Sequence, residues 1–325
     1  MVAKSRPIPA KGFSMKRDAL VFYSPVDDPT AWRDALASEL PDLDFRIDPD
    51  VGDPAEINYA LAWLPPKGFF RRFSNLKLLT NLGAGVDALL NRDDLVPVPI
   101  TRLSDPGMVS LMTSYVIFAV TRYARDMHIF ERAKQRGQWH YVHPRPLAEI
   151  KVCILGLGEL GAHAAKSLAD MGYDVRGWSR TLKTIPGVEC HAGRGSLETL
   201  LGDCEIFVSM LPATNDTQAL LGARELALMP AGAKFINVSR SAVVDEAALV
   251  AALRSGAIGE ATLDVFGAEP LPPEHPYWAL DNVFITPHLA SITVPALAVR
   301  DVAESIRRVR RGEPPLHQVD PQRGY

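Results

Sequence analysis

The feature that most limits the fold of this 325-residue chain is a series of short apolar runs after Lys151. Six runs alternate with helical segments: VCIL, VRGW, EIFVSML, KFINV, ATLDVF and NVFIT. Short apolar runs separated by helices are typical of the buried strands of a parallel sheet. Six such strands are enough for a doubly wound Rossmann sheet, which binds a dinucleotide at the carboxyl ends of its strands.

The first third of the chain predicts a second, smaller parallel sheet. Strands are expected at 19–23, 44–47 and 59–64, with a helix at 30–40 and another helix between the second and third strands. The segment LKLLTNLGAGVDALL adds a strand, a glycine turn and a helix that starts at Val86. Alternation of this kind predicts an α/β fold with two doubly wound parallel-sheet domains. The larger is a Rossmann dinucleotide-binding domain, and the smaller is a flavodoxin-like substrate domain.

The remaining segments suggest how the two domains are joined. A long helical stretch at 108–135 is predicted to connect them, and a helix at 295–311 is predicted to return to the first domain. The substrate domain would then comprise 1–112 plus 290–325, and the nucleotide-binding domain 113–289. The latter includes an irregular arm at 137–149, rich in proline, histidine and aromatic residues. This arm predicts either ordinary loop packing or a contact between subunits.

Composition excludes several classes of protein. The formal net charge of −3 gives no support for nucleic-acid binding. No apolar stretch approaches the ~20 residues of a membrane span, and the basic amino terminus, with Met15 as an alternative start, lacks a signal-peptide core. Three scattered cysteines indicate reduced thiols, and hence a cytoplasmic protein. His140 and His143 have no obvious further ligands, so we expect no metal site.

A glycine loop follows the first strand of the larger sheet. Gly156, Gly158 and Gly161 form G-x-G-x-x-G between the strand KVCIL and the helix ELGAHAAKSLADMG. This is the context in which the first glycine allows a tight turn, the second lets a pyrophosphate approach and the third allows close helix packing. With Glu159 and Leu160, these residues are the predicted phosphate site at the helix amino terminus.

The end of the next strand indicates which dinucleotide binds. A cofactor with a free ribose 2′-hydroxyl would require a carboxylate there, but the chain has Ser179, Arg180, Thr181 and Lys183. Asp174 lies at the wrong end of the strand. Because an arginine fork binds a phosphate that a carboxylate would repel, the prediction is NADP (NADPH), with NAD less favoured.

Three polar residues follow three of the apolar runs and are the catalytic candidates. Arg240 would hold the carboxylate or keto oxygen of a 2-oxo acid with its fixed fork. His288 would donate a proton to that oxygen as hydride arrives. Glu269 would pair with the imidazole, favour its protonated form and orient it.

Two further residues are candidates for the site, and an ordinary structural role would explain each of them equally well. Asp264 lies near the end of its strand and would contact the nicotinamide side of the cofactor, or act as a turn or cap residue. Trp63, just after a first-domain strand, would wall the substrate pocket or pack in the core.

Several motifs together resemble the D-2-hydroxyacid dehydrogenase family over nearly the whole chain. They are GLGELG, SMLP, INVSRSAVVDEAAL, LDVFGAEPLP and TPHLA. Within that family, LAWLPP, NLGAGVD, GWSRTLK, the PGVE segment and the closing QVD-x-x-RGY are similar to the NADPH-dependent glyoxylate/hydroxypyruvate reductase A branch.

The resemblance implies NADPH-dependent reduction of small 2-oxo acids, with Arg240, Glu269 and His288 as the catalytic trio. It implies that backbone amides bind the substrate carboxylate, in a turn that precedes a helix. It also implies cofactor contacts from the SMLP and INVSR motifs, and a homodimer formed through the nucleotide domain and the arm. The turn comprises Leu82, Gly83, Ala84, Gly85 and Val86, and the added cofactor residues are Leu211, Pro212, Val238 and Ser239.

Two other functions are compatible with the sequence. One is a non-catalytic protein that senses NAD(P)H, and another is a dehydrogenase of the same family with a different substrate. The formate dehydrogenase branch carries an amide at the position of Glu269, which argues against that activity. One departure from the family is Ser241, where glycine is common after the arginine; a positive φ there would strain a serine.

Overall fold

The computed structural model describes residues 17–320. The basic amino terminus with Met15 and the final RGY residues of the predicted closing motif lie outside the described residues. Two parallel sheets, of five and seven strands, carry the fold. The predicted α/β class with two doubly wound sheets is confirmed.

The first sheet has the strand order β2-β1-β3-β4-β5, which is the flavodoxin-like order. Its elements are β1 (Ala19–Tyr23), α1 (Pro29–Glu39), β2 (Asp44–Ile47), β3 (Ile57–Ala62), β4 (Leu78–Asn81), α2 (Asp87–Leu90) and β5 (Ile100–Thr101). The helix predicted between β2 and β3 is wrong. Only a 3-10 turn (Pro54–Glu56) forms there, because nine residues separate the two strands and leave no room for a longer helix.

The predicted long connecting helix is two helices, α3 (Pro106–Ala124) and α4 (Met127–Gln135). Asp126 separates them with a φ of 56°, in the left-handed region that aspartate tolerates better than most residues. The apolar periodicity of the sequence continues across this break, so the periodicity did not indicate that one helix ends there and another begins. One face of α3 packs on the second sheet's first helix, through Val116, Ala119 and Val120.

The second sheet has seven parallel strands in the order β12-β11-β10-β9-β6-β7-β8. Its elements are β6 (Lys151–Leu155), α5 (Glu159–Asp170), β7 (Asp174–Ser179), β8 (Val188–Ala192), α6 (Arg194–Asp203), β9 (Ile206–Ser209), α7 (Ala223–Leu228), β10 (Ala233–Asn237), α8 (Glu246–Ser255), β11 (Ile258–Leu263) and β12 (Val283–Ile285). The strand order reverses between β6 and β9, where doubly wound sheets bind their ligands.

The prediction of six strands in this sheet missed β8. This strand lies at the sheet edge and pairs only with β7, and none of its five residues is fully buried. An edge strand of that kind does not need a continuous apolar run, so the search for apolar runs passed over it.

The last helix, α9 (Pro295–Arg310), returns to the first sheet as predicted. Val299, Val302 and Ile306 share one buried cluster with Trp32 and Leu36 of α1. The chain therefore crosses between the two sheets twice, although the exact residue bounds of the two domains stay a prediction. Within residues 17–320, no helix combines the length and apolar character needed to cross a bilayer.

Candidate active site

The glycine loop has the shape that its sequence predicts. Gly156 has a φ of 108°, and a Cβ there would lie 2.6 Å from the carbonyl oxygen of Met210. A Cβ on Gly161 would overlap the carbonyl oxygen of Gly156, so close packing of α5 requires glycine. Apart from the two chain neighbours of Gly158, no atom of residues 17–320 lies within 4 Å of the corresponding position there. Space is therefore left at Gly158, beside the amino terminus of α5, where a phosphate group would fit.

A second turn follows β7 and carries the residues predicted to select the cofactor. Ser179 is buried at the strand end, and its hydroxyl donates to the carbonyl oxygen of Thr181 at 2.8 Å. Arg180, Thr181 and Lys183 are exposed on this turn, and Asp174 lies at the opposite end of the strand. The carboxyl end of β7 thus presents two cationic residues and no carboxylate of its own.

The residues after β9 and β10 lie on the other side of the glycine loop from the turn after β7. Leu211 is buried directly against Gly156, whereas Pro212 is exposed. Val238 and Ser239 are buried after β10, and the Ser239 hydroxyl bonds to Ser209 at 2.9 Å and to Asn237 Oδ1 at 2.8 Å. This network holds the backbone that leads to Arg240.

Arg240 leaves the end of β10 and reaches the first sheet. Its Nε donates to Asp87 Oδ1 at 2.9 Å, and one terminal nitrogen donates to the Ser239 carbonyl at 2.8 Å. The other terminal nitrogen lies against Gly85, where any Cβ would overlap it. Ser241 begins a 3-10 turn and has no positive φ, so the strain considered for a serine at this position does not arise.

The predicted carboxylate-binding turn follows β4. Asn81 is buried, and its side-chain amide donates to the carbonyl oxygens of Gly83 at 2.9 Å and Gly85 at 3.0 Å. Within residues 17–320 the amides of 83–86 donate to no protein acceptor, while the Leu82 amide is occupied by Ala62. Four amides without a protein acceptor beside an arginine are the kind of donors that an anion site uses, so anion binding by this turn stays a prediction.

Trp63 packs directly on this turn. Its six-membered ring lies 2.7 Å from the position that a Cβ on Gly83 would take. The side chain is partly buried and packs against the core cluster of the first sheet. Trp63 therefore lies next to the turn and also contributes to the core, so both of its predicted roles remain compatible with its position.

Glu269 and His288, which are 19 residues apart in the chain, form a direct pair. Nδ1 of His288 lies 2.7 Å from Glu269 Oε2, and the other carboxylate oxygen accepts the Phe266 amide at 2.9 Å. No described residue is hydrogen bonded to Nε2 of His288. The imidazole is thus oriented through one nitrogen, and the other is left for a ligand.

The charge of Glu269 is stabilised by its neighbours. Burial raises the pKa of Glu269, but the hydrogen bonds from His288 and Phe266 and the charges of His288 and Arg240 together bring the pKa below its usual range. The carboxylate is therefore ionised at neutral pH. Arg240 also lies close enough for its charge to act on this carboxylate.

Asp264 is almost completely buried and organises the segment that carries His288. One carboxylate oxygen accepts the Thr286 hydroxyl at 2.6 Å and the Leu289 amide at 2.9 Å, and the other accepts the Ala290 amide at 2.9 Å. Thr286 also bonds to Tyr115 of α3 at 2.6 Å. The structure thus shows Asp264 as a support for the His288 backbone, and its predicted contact with the nicotinamide stays a prediction.

Three residues at the site were not predicted from the sequence: Asp87, Ser104 and Tyr115. Ser104 donates to Glu159 Oε2 in the glycine loop at 2.6 Å, so it joins the two sheets in the same way as Asp87 does. Asp87 lay within the quoted motif NLGAGVD, which was the one available signal. Nothing local in the sequence marked Ser104 or Tyr115.

Comparisons with known proteins identify the family to which the chain is related. Residues 117–290 match the family model described as D-isomer specific 2-hydroxyacid dehydrogenase, NAD binding domain. The glyoxylate/hydroxypyruvate reductase A of Yersinia enterocolitica is 37% identical over 312 residues, which cover 94% of this chain and 99% of that protein.

Solved structures are similar over almost the whole chain. A D-isomer specific 2-hydroxyacid dehydrogenase from Xanthobacter autotrophicus Py2, in complex with NADPH and MES, is 59% identical with a TM-score of 0.91, covering 95% of this chain and 100% of that one. The NADPH-dependent glyoxylate/hydroxypyruvate reductase of Sinorhizobium meliloti, in complex with NADP and sulfate, is 32% identical with a TM-score of 0.89, with the same coverage. The family predicted from the motifs is confirmed: this chain belongs to the D-isomer-specific 2-hydroxyacid dehydrogenases.

Proposed function

We propose that this enzyme reduces small 2-oxo acids such as glyoxylate and hydroxypyruvate to 2-hydroxy acids, with NADPH as the preferred cofactor. The observation that carries the proposal is the His288–Glu269 pair at 2.7 Å beside Arg240. A proton donor, a fixed cation and a turn of unpaired amides meet at the edge of a dinucleotide-binding sheet. A 2-oxo acid needs these three groups, because it has a carboxylate to bind and a carbonyl oxygen to protonate.

The protein's part in the reaction follows from these groups. The bound nicotinamide would supply the hydride. Arg240 and the amides of 83–86 would hold the substrate carboxylate, and the arginine charge would polarise the carbonyl. His288 would give its Nε2 proton to the carbonyl oxygen as that oxygen gains charge, and would take a proton back in the reverse direction. Glu269 would keep the ring oriented and stabilise its charged form.

The two turns of the second sheet support the choice of cofactor. The open space at Gly158 and the amino terminus of α5 suit a pyrophosphate. Arg180 and Lys183 at the end of β7 suit a 2′-phosphate, and a carboxylate that would prefer the free hydroxyl of NAD is absent from that turn. The relatives from Xanthobacter and Sinorhizobium bind NADPH and NADP in their solved structures, which supports the same preference.

We also propose that the arm joins two copies of the chain. Trp139 is 99% exposed and Tyr141 is 74% exposed, which is unusual for aromatic side chains of a folded enzyme. On α3, which precedes α4 and the arm in the sequence, Phe118 is half exposed and Leu111 is partly exposed. Covering this apolar surface with the same surface of a second copy would form a two-fold dimer.

The test of the proposed reaction is the loss of NADPH absorbance at 340 nm with glyoxylate or hydroxypyruvate. We expect turnover by the unaltered enzyme and a fall in kcat/KM of roughly 100-fold or more for His288→Asn, because general-acid catalysis contributes on that order. NADPH binding, followed by fluorescence titration, should persist. A panel of 2-oxo acids with both cofactors would then rank the substrates.

His317→Asn is the matched control for this experiment. His317 also has a positive φ (49°), is about one-third exposed and pairs with a carboxylate, Asp301, at 3.2 Å. It lies outside the candidate site, so its replacement should leave kcat/KM almost unchanged. If the unaltered enzyme binds NADPH but oxidises none with any 2-oxo acid, the proposed reaction is wrong and a sensing role is favoured.

A further inference from the structure

Asp87 is the acidic residue that contacts Arg240 at the candidate site. It is the first residue of α2 and directly follows the turn of residues 82–86. Its carboxylate accepts Arg240 Nε at 2.9 Å, although the two residues belong to different sheets. Both side chains are about three-quarters buried, so the ion pair is partly shielded from water and ions.

The contacts of Arg240 show how this pair determines the direction of the guanidinium. Nε is held by Asp87, and one terminal nitrogen is held by the carbonyl oxygen of Ser239. Because the guanidinium is planar, two anchored nitrogens determine the position of the third. That third nitrogen lies against Gly85, at the turn whose amides at 83–86 donate to no acceptor within residues 17–320.

A simple attraction of substrate would not explain a carboxylate at this place. Asp87 is negatively charged and would repel the carboxylate of a 2-oxo acid. Stabilisation of a helix dipole is also a poor explanation, because α2 has only four residues and its dipole is correspondingly small. Orientation of Arg240 accounts for the contact, because Asp87 binds Nε and leaves the terminal nitrogen that lies against Gly85 available for a ligand.

We propose that Asp87 is a positioning residue that holds Arg240 across the boundary between the two sheets and aims its free terminal nitrogen at the carboxylate-binding turn. The turn and Asp87 belong to the first sheet, and Arg240 follows a strand of the second. The arginine is therefore correctly oriented only when the two sheets are brought together. This inference rests on the proposed function, in which Arg240 binds the substrate carboxylate.

The experiment is a double-mutant cycle on kcat/KM for glyoxylate with NADPH. Asp87→Ala should lower kcat/KM about 10- to 100-fold, mainly through a higher KM, because misplacement of a binding group by about 1 Å costs on that order. Asp87→Asn keeps an oxygen that accepts from Nε and should recover most of the loss. The affinity for NADPH should stay within about two-fold, since Asp87 acts through Arg240 alone.

The second arm of the cycle separates positioning from a structural role. Lysine has no Nε–H to pair with Asp87. In an Arg240→Lys background, Asp87→Ala should therefore lower kcat/KM by less than about a further three-fold. Asp28→Ala is the matched control: Asp28 caps α1 of the same sheet at 2.9 Å, and its loss should lower Tm but leave kcat/KM unchanged.

The outcomes distinguish this inference from the proposed function. If Asp87→Ala lowers kcat/KM by the same factor in both backgrounds, or has no effect, the positioning role is wrong. If Arg240→Lys itself leaves kcat/KM unaltered, the proposed role of Arg240 fails, and the inference about Asp87 fails with it. A large effect of Arg240→Lys together with a large, coupled effect of Asp87→Ala supports both.

Discussion

At the scale of single residues, His288 and its segment are held in place by several neighbouring groups in addition to Glu269. It has a φ of 53°, in a region that few residues other than glycine adopt, and its amide bonds to the Thr286 carbonyl at 3.0 Å. Asp264 accepts three hydrogen bonds from the same segment. Unusual backbone conformations persist where the surroundings hold them in place, and they are concentrated at functional sites.

The first residue-scale prediction concerns Glu269→Gln and the pH dependence of reduction. Replacing the carboxylate by a neutral amide removes the negative charge that lies 2.7 Å from the imidazole that would donate the proton. The falling limb of the kcat/KM profile for reduction should therefore move to lower pH. Asp301→Asn is the control, because Asp301 pairs with His317 at 3.2 Å outside the candidate site. Superimposable profiles for Glu269→Gln and the unaltered enzyme would exclude the assigned pairing.

The same variant should change how stability depends on pH. The pKa of Glu269 is lower in the folded protein than its ordinary value, so the folded state favours the ionised carboxylate. This contribution to the free energy of unfolding is present above the ordinary glutamate pKa and is lost as the pH falls through the folded pKa. Glu269→Gln lacks it, so its Tm should depend less on pH in that acidic range.

At the scale of elements, the specificity of the second sheet lies in the turns after its strands. In the turn after β6, the fold requires glycine at Gly156 and Gly161, and it leaves open space beside Gly158. The turn after β7 presents Arg180 and Lys183. The turn after β6 lies where the strand order reverses, which is where doubly wound sheets bind their ligands, and the turn after β7 lies beside it.

The element-scale prediction is a change of cofactor preference. Ser179→Asp combined with Arg180→Ala places a carboxylate at the end of β7 and removes a cation from the turn. The ratio of kcat/KM for NADPH to kcat/KM for NADH should fall by at least about ten-fold, since charge-assisted phosphate contacts of this kind are worth more than ~1.4 kcal/mol. Arg224→Ala, which removes an exposed arginine from α7, is the control. An unchanged ratio in the double variant would refute the assignment of this turn.

At the scale of the whole molecule, the carboxyl edges of the two sheets face one another. Two contacts join them at the candidate site: Asp87 with Arg240, and Ser104 with Glu159. The return of α9 to α1 and the connection through α3 cross between the sheets at one side. Neither sheet alone carries both the glycine loop and the turn that is proposed to bind the substrate carboxylate.

The whole-molecule prediction concerns the number of chains. Light scattering should give twice the chain mass of 35.6 kDa, and Trp139→Ser with Tyr141→Ser should shift the mass towards one chain. Loss of two large aromatic side chains removes much of the apolar area that such an interface would bury. Trp278→Ser is the control, because Trp278 is 55% exposed outside the arm. A single-chain mass for the unaltered protein would show that the arm has another role.

Much of the fold was predictable because local patterns determine it. Apolar runs, the glycine loop and the polar residues after strands are properties of short segments. The break between α3 and α4 and the edge strand β8 were missed for the same reason. One depends on a single left-handed residue, Asp126, within a continuing apolar pattern, and the other lacks the buried surface that produces such a pattern.

The sequence by itself determined the two parallel sheets, the dinucleotide loop and the order of Arg240, Glu269 and His288 along one sheet edge. These follow from hydrophobic periodicity and from the rule that ligands bind at the carboxyl ends of parallel strands. Only the tertiary structure decided that Asp87 holds Arg240, that Ser104 holds Glu159 and that Asp264 supports the His288 segment. These contacts join residues far apart in the chain, and the packing of whole sheets and helices determines which of them meet.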